Sequence, residues 1–367
     1  MGKTNFLLMI FLLICSNNFA QQKAFNVNNI QLQELQRLNE RKIIRVPDIL
    51  NYKTLKCDFH MHTVFSDGSV WPTVRVEEAW REGLDAIAIT DHIERQPSKE
   101  HIGGDKNSSY EIAEKLAKEL EIILIRAGEV TRSMPPGHLN TIFLKDVNIL
   151  VQDEPINALK AAKENGAFIM WNHPGWKAQQ PDTCLWMDMH QELYEQGLIN
   201  GIEVFNEKEW YPIALDWCLE KDLAPIANSD IHGVAEYYYD YSKFFRPMTL
   251  VFAEDNTQQS IKEALDNARS VAFFANILAG KEEYLKEIFL QSVKIRKLGS
   301  FRDAERYEIT NNSDIPFIME GITSLELKPN SSALFIVEEK DKNDYMMIKN
   351  LITGSTKCLE ISFSELW

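Results

Sequence analysis

Nine side chains of this 367-residue chain could hold metal ions, and they fall in short clusters. These are His60-Met61-His62 with Asp67, then His92 beside Asp91, Glu129, His138, His173, and Asp230-Ile231-His232. Six of the eight histidines are among them. Imidazole and carboxylate together suit zinc, manganese and iron, whereas calcium or magnesium draws oxygen ligands almost alone. One ion takes three or four protein ligands, so the set would serve two or three divalent ions (Mn, Zn or Fe). Such ions lower the pKa of bound water, and a pair can clamp the attacking and leaving oxygens of an in-line displacement. The function class implied is a multinuclear metallohydrolase. The chain has no GxSxG elbow, no Cys–His pairing context and no P-loop, so no covalent nucleophile is indicated.

Short apolar runs alternating with helical patterns must position these groups. The pattern predicts strands over 55–60, 86–90, 122–127, 139–144, 167–171, 201–205 and 224–227, with helices over 74–82, 110–120, 155–164, 192–196 and 212–220. His60 and His62, two apart, project from one face of an extended segment. Asp91-His92, Glu129, His173 and Asp230 each follow a predicted strand, and the carboxyl ends of parallel strands gather where α/β folds place their active sites. The run over 139–144 follows its predecessor too closely for a helix, so a hairpin or bend is expected there. Seven strands are enough to close a barrel. The stretch 257–279 reads as one helix capped by Asn256 or Thr257. Beyond about 286 the texture changes to alternating runs over 292–298, 306–310, 324–327, 333–338 and 358–362, a small antiparallel β domain without a ligand cluster.

HMHTVFSDG, from His60 to Gly68, closely resembles the first motif of the PHP (polymerase and histidinol phosphatase) phosphoesterases. GLDAIAITDH, GEVT before GHLN, NHPGW and ANSDIHG extend the resemblance to Gly233 in the same order. It implies a distorted (β/α)7 barrel, an α/β fold, with a two- or three-metal centre that hydrolyses phosphate esters. By the same resemblance His60 and His62 are ligands of a first metal, Glu129 bridges to a second held by His138 and His173, and Asp67, His92 and His232 hold a third. Asp230 resembles a first-metal ligand beside the nucleophilic water. Asp230, with His232, is the candidate for orienting that water or moving protons, and Glu129 completes the catalytic set. The layout also resembles a secreted bacterial subgroup that includes phosphodiesterases of small organophosphate diesters. Diester cleavage is therefore the first expectation and phosphomonoester hydrolysis the alternative. A metal-stabilised binding protein is the reading from another class.

The expected organisation is a signal peptide over 1–20, a linker over 21–52, the catalytic barrel over 53–285 and the β domain over 286–367. Lys3, an apolar run from Phe6 to Cys15, and Ala20 before Gln21 predict export with cleavage near Ala20, to the periplasm or outside the cell. The run falls short of the roughly twenty residues that span a bilayer. A lipid anchor at Cys15 is disfavoured by the bulk of Ile14. Cys57, Cys184, Cys218 and Cys358 have no paired spacing, which argues against a zinc knuckle or a disulfide framework.

The formal net charge of -15 opposes duplex nucleic-acid binding, while a small phosphate ester can still enter a cleft whose field bound cations reverse. Lys177, Arg132 and Arg246 are the candidate phosphate partners, although most surface Lys and Arg are merely solvated. Trp171, Trp176 and Trp210 are candidates to wall the pocket, with core packing preferred for Trp171. Glu203, Asn206 and Glu207 end a strand at the same face, where they either support the ligands or start the next helix. Asp91 either caps a turn or orients His92. His101 and His190 receive no role. Nothing in the sequence determines oligomeric state.

Overall fold

Three helices begin with proline, whose fixed φ suits a first turn that needs no amide partner. They are α1 (Pro72–Glu82), α3 (Pro155–Glu164) and α5 (Pro212–Lys221); the others are α2 (Ser108–Glu119), α4 (Asp188–Glu195), α6 (Gln258–Asp266) and α7 (Glu282–Ser292). The computed structural model describes residues 40–341 and 344–366. The expected signal peptide and most of the expected linker lie outside the described residues. No helix among the described residues is long and apolar enough to cross a membrane. Residues 41–367 form one unit.

The first eight strands are β1 (Lys53–Asp58), β2 (Ala86–Ile89), β3 (Ile123–Thr131), β4 (His138–Ile142), β5 (Phe168–Trp171), β6 (Gly201–Asn206), β7 (Glu209–Trp210) and β8 (Ala224–Asn228). Then follow β9 (Met248–Ala253), β10 (Ser270–Phe274) and β11 (Ile277–Gly280). The protein is a mixed α/β fold with one fifteen-stranded sheet and a separate three-stranded antiparallel sheet. β1, β2 and β3 run parallel, as do β5, β6 and β8, each connected in sequence through helices. β4 lies antiparallel between β3 and β5, because residues 132–137 are too few for a helical crossover. This is the hairpin or bend expected from spacing, and with the antiparallel β1–β9, β9–β10 and β10–β11 pairs it makes the sheet mixed rather than parallel.

No ladder joins β8 to β9 among the described residues, so the seven-stranded closure expected of a barrel is not formed by backbone pairing. A side chain spans that seam instead. The Thr249 hydroxyl donates to Ala227 O at 2.9 Å and accepts from Ala227 N at 3.1 Å.

The stretch 257–279 is not one helix. α6 starts where Thr257 accepts from Ser260 N, and it stops at Asp266. β10 and β11 then form a hairpin whose two turn residues, Ala275 and Asn276, have φ of 44° and 65°. The Val-Ala-Phe-Phe run of β10 is buried throughout. Such an apolar run has no period with which to separate helix from strand. The same reason hid β9, MTLVFA, which is also wholly buried.

The remaining strands are β12 (Val293–Phe301), β13 (Ala304–Asn311), β14 (Phe317–Gly321), β15 (Leu325–Leu327), β16 (Ser332–Glu338), β17 (Tyr345–Gly354) and β18 (Lys357–Ser362). β12, β13 and β16 form the three-stranded sheet, whereas β14, β15, β17 and β18 join the large sheet through the β11–β17 pairing. Residue 286, where the texture of the sequence changes, lies inside α7. One apolar core runs across that position, from Val76 and Leu250 through Phe289 to Phe317, Ile348 and Leu359.

Candidate metal centre

The nine ligand candidates come together, seven of them lining one cleft and His60 and His62 fully buried against them. His60 and His62 follow β1, His92 follows β2, His173 follows β5, and Asp230 and His232 follow β8. His138 opens β4, whose reversed direction brings its first residue to the same edge. Glu129 is within β3 rather than after it, since pairing with β4 carries that strand on to Thr131. The chain beyond β1 stays tied to its neighbours: His62 N donates to Ile231 O at 3.0 Å, and Asp230 N to His60 O at 2.9 Å. Gly68 is required by close approach, because a Cβ there would lie 2.6 Å from the His62 carbonyl carbon.

Glu129 is buried and central. Its Oε2 lies 2.7 Å from His92 Nδ1, 3.5 Å from His62 Nε2 and 3.6 Å from His60 Nε2, while Oε1 lies 2.9 Å from His138 Nδ1. Asp230 Oδ1 lies 3.0 Å from His62 Nε2 and 3.1 Å from His60 Nε2. Asp67 Oδ1 lies 3.3 Å from His92 Nε2 and 3.2 Å from His232 Nε2. Four groups could each hold an ion: His62, Asp67, His92 and His232; His60, His62 and Glu129; His60, His173 and Asp230; and His92, Glu129 and His138. Geometry thus adds His62 to the third set implied by the family resemblance, and draws His173 towards His60 and Asp230.

The donors fit divalent cations. Asp67 Oδ1, Glu129 Oε2, Asp230 Oδ1 and the Nδ1 atoms of His138 and His173 are buried without a hydrogen bond of good geometry. Unsatisfied groups of this kind are costly to bury, and a cation shared among them removes the cost. His60 Nε2 and His62 Nε2 lie only 3.1 Å apart, an approach that a cation between them also accommodates.

The charges are divided unevenly. Burial opposes a charge on His60, but Asp230, Glu203 and Glu129 outweigh it and hold its pKa well above normal. Burial likewise opposes charge on His92, yet Glu129 and Asp67 push it up to about 10. His173 falls to about 3 through burial and the neighbouring His138, and His62 is lowered by burial together with His92 and His232. Burial raises Asp230 to about 6 against the pull of His60 and His232. Glu129 stays well below the usual carboxylate range, because His92, His60 and His138 overcome the cost of burial.

Supporting groups fix the ligands. Glu203 accepts from His60 Nδ1 at 2.8 Å and from His173 N at 2.7 Å, and Asn206 and Asn228 donate to it. Asn172, unassigned from sequence though adjacent to His173, donates to Glu129 Oε1 at 3.1 Å. His92 Nδ1 also lies 2.6 Å from the Thr131 hydroxyl. Asp91 does not orient His92; it accepts from Thr63 N, Thr63 Oγ1 and Ser66 Oγ, each at 2.7 Å, and so holds the loop that carries Asp67. His173 and Asp230 have φ of 28° and 48°, a left-handed backbone that the surrounding hydrogen bonds must enforce.

The cleft holds about 300 Å³ and its walls include Arg95, Trp176, Asn206, Glu207 and Glu209. Of the three cations expected to meet phosphate, none lines it. Arg246 is 2% exposed and donates to Asp58 Oδ2 at 2.6 Å, Glu82 Oε2 at 2.7 Å and Ser229 Oγ at 2.8 Å, so two buried carboxylates consume its charge. Arg132 pairs with Glu94 and turns towards the Thr131, Gln152 and Asp153 carbonyls, and Lys177 is an exposed side chain outside the cleft. Arg95 does line it, with Nε 3.1 Å from Asp67 Oδ2. Its position three residues after His92 was the available signal.

Trp176 packs its ring 5.4 Å from His173 and 5.8 Å from His138. Trp171 is buried against His190, centroids 3.9 Å apart, and Trp210 packs on Phe274. The described cysteines, Cys57, Cys184, Cys218 and Cys358, are free thiols.

The chain is similar to the crystal structure of a two-domain protein containing a predicted PHP-like metal-dependent phosphoesterase from Bacteroides vulgatus. Identity is 42% and the TM-score 0.85, over 89% of this chain and 99% of that one. A protein from Bifidobacterium adolescentis described as a metal-dependent phosphoesterase matches at 17% identity and TM-score 0.41, over 57% of this chain and 95% of that one. An amidohydrolase from Chromobacterium violaceum matches at 15% identity and TM-score 0.38, over 49% and 88%. Those two matches are too distant to carry an argument. No family model and no curated protein matches the chain.

Proposed function

Because the chain belongs to the PHP-like metal-dependent phosphoesterases, we propose that it hydrolyses small phosphodiesters in the cleft built around Glu129. The observation that carries hydrolysis is the convergence of nine imidazole and carboxylate ligands, five of which have a buried polar atom without a hydrogen bond of good geometry. Manganese, zinc or iron ions held there supply the Lewis acidity that activates solvent and offsets charge on the phosphate.

The chain's own groups do the rest. Asp230, which lines the cleft with a buried Oδ1 that has no hydrogen bond of good geometry, is the carboxylate placed to accept the proton of the attacking water. Glu129 and Glu203 keep the imidazoles turned inwards. The His232 Nδ1–H donates to Asp230 O at 2.8 Å, which leaves Nε2 facing Asp67. Arg95 offers a guanidinium to a non-bridging phosphate oxygen, and Trp176 packs against the organic substituent.

Diester preference is favoured by the charge of the walls. Arg95 is the one Lys or Arg among the lining residues, which also include Glu207 and Glu209. A singly charged diester meets less repulsion from such walls than a doubly charged monoester. The charged start at Lys3, the apolar run from Phe6 to Cys15 and Ala20 before Gln21 support action outside the cytoplasm, which fractionation of expressing cells would check.

The functional test is turnover of bis(p-nitrophenyl) phosphate against p-nitrophenyl phosphate, after chelation and after return of Mn2+ or Zn2+. Metal-dependent turnover that favours the diester is expected. Preference for the monoester would replace the diester reading, and bound metal without turnover of either ester would overturn hydrolysis itself.

A further inference from the structure

Beneath the cleft, one buried guanidinium joins two ligand-bearing loops that are far apart in sequence. Arg75, on α1, is 1% exposed. Its Nε donates to His62 O at 2.9 Å, Nη1 to Gly233 O at 2.8 Å and to Glu78 Oε2 at 2.6 Å, and Nη2 to Ile231 O at 3.0 Å. Four of the roughly five donors of the fork are therefore satisfied in fixed directions.

Three of the four acceptors are main-chain carbonyls. One belongs to the ligand His62, and the other two flank the ligand His232 on either side. The two rings they support are stacked, with centroids 4.2 Å apart, and both belong to the group completed by Asp67 and His92. Glu78 extends the strap, since its other oxygen accepts from Ala235 N at 2.9 Å.

We infer that Arg75 is a positioning residue for the metal group His62, Asp67, His92 and His232, acting on the ligand backbones rather than on substrate. This rests on the reading of those four side chains as metal ligands. A carbonyl held on both sides of residue 232 fixes where the imidazole leaves the backbone, and the same fork fixes His62 against it. A lysine cannot do this, because a single ammonium on a flexible stem does not span three acceptors in a plane. Arg246 bonds instead to Asp58, Glu82 and Ser229, so its task is distinct.

The test counts ions as well as turnover. Parent, Arg75→Lys and Glu78→Gln proteins are dialysed to equilibrium at equal free Zn2+ and analysed for bound metal. Circular dichroism in chelator reports the fold, and bis(p-nitrophenyl) phosphate gives kcat and KM. Arg75→Lys should stay folded, bind one ion fewer than the parent and lose about 10–100-fold in kcat, the usual cost of losing a group that orients a ligand, with KM little changed. Glu78→Gln keeps the three carbonyl bonds and should weaken the same ion by a smaller factor. A full Zn2+ complement of unchanged affinity in Arg75→Lys overturns the assignment. So does loss of every ion together with the fold, because the strap would then serve the whole protein. Metal counting separates this inference from the proposed activity: an absent turnover in the parent refutes the activity and leaves the ion count to decide the role of Arg75.

Discussion

Glu203 Oε1 lies 2.8 Å from His60 Nδ1, and both side chains are fully buried. That contact turns the opposite ring nitrogen, Nε2, towards Asp230 and Glu129. The other Glu203 oxygen accepts the His173 amide, so one carboxylate sets two ligands.

Glu203→Ala should therefore cost about 10–100-fold in kcat/KM and reduce bound metal, as partners of ligating histidines commonly do. Glu203→Gln keeps an acceptor of the same shape and should fall between it and the parent. Steady-state kinetics with elemental analysis checks both; equal activity of parent and Glu203→Ala would remove Glu203 from the site.

Arg246 should matter to stability and not to substrate binding. Arg246→Met leaves Asp58 and Glu82 buried without their cation, and breaking a buried pair in this way costs about 3–5 kcal/mol. Urea unfolding should show that loss, while the KM of any surviving activity stays close to that of the parent. A raised KM with unchanged stability would return Arg246 to the substrate.

Among the cations, Arg95 should carry the phosphate contact. A hydrogen bond to a charged group is worth about 1.5–3 kcal/mol, so Arg95→Ala should lower kcat/KM by about 10–100-fold. Arg132→Ala and Lys177→Ala should change it little, since neither side chain lines the cleft. Kinetics on the three variants decides between them.

In the metal-free protein the histidines should set a stability maximum near pH 6.5, their ordinary value. His92, raised to about 10, contributes stability that is complete below 6.5 and is lost as pH climbs to about 10. His173, lowered to about 3, contributes stability that is present above 6.5 and is lost as pH falls towards about 3. Divalent ions need deprotonated ligands, so adding Zn2+ should move the maximum to higher pH. Thermal unfolding from pH 4 to 10 (about three units either side of neutrality), with chelator and with Zn2+, measures this. A metal-free profile that rises steadily with pH would contradict it.

Much of the centre was legible in the chain because its ligands sit beside strands whose apolar runs are short and local. The starts of β6 and β8, the end of β5, the whole of α3 and the start of α5 follow directly from such runs and from Pro155 and Pro212. Where the pattern lost its period, the reading failed: β9 and β10 are buried on both faces and carry no alternation. The extension of β3 through Glu129 required its neighbour β4, and no local signal reports a partner strand.

The fate of the cations was not legible for a related reason. Arg246 is a candidate from sequence because it falls in a segment outside the predicted strands and helices, but its partner Asp58 is 188 residues away. Arg95 faces the cleft only because the segment after β2 bonds to β3, as in Ile93 N to Glu129 O at 2.9 Å.

The chain by itself determined which side chains could bind metal, their order, and their placement near strand ends, because those properties depend on residue type and on neighbours a few positions away. Only the tertiary structure decided that His62 falls with Asp67, His92 and His232, that Arg75 and Arg246 are buried, and that Arg95 is left at the cleft. Those choices are made by pairings between distant segments, where burial makes each charge find a partner.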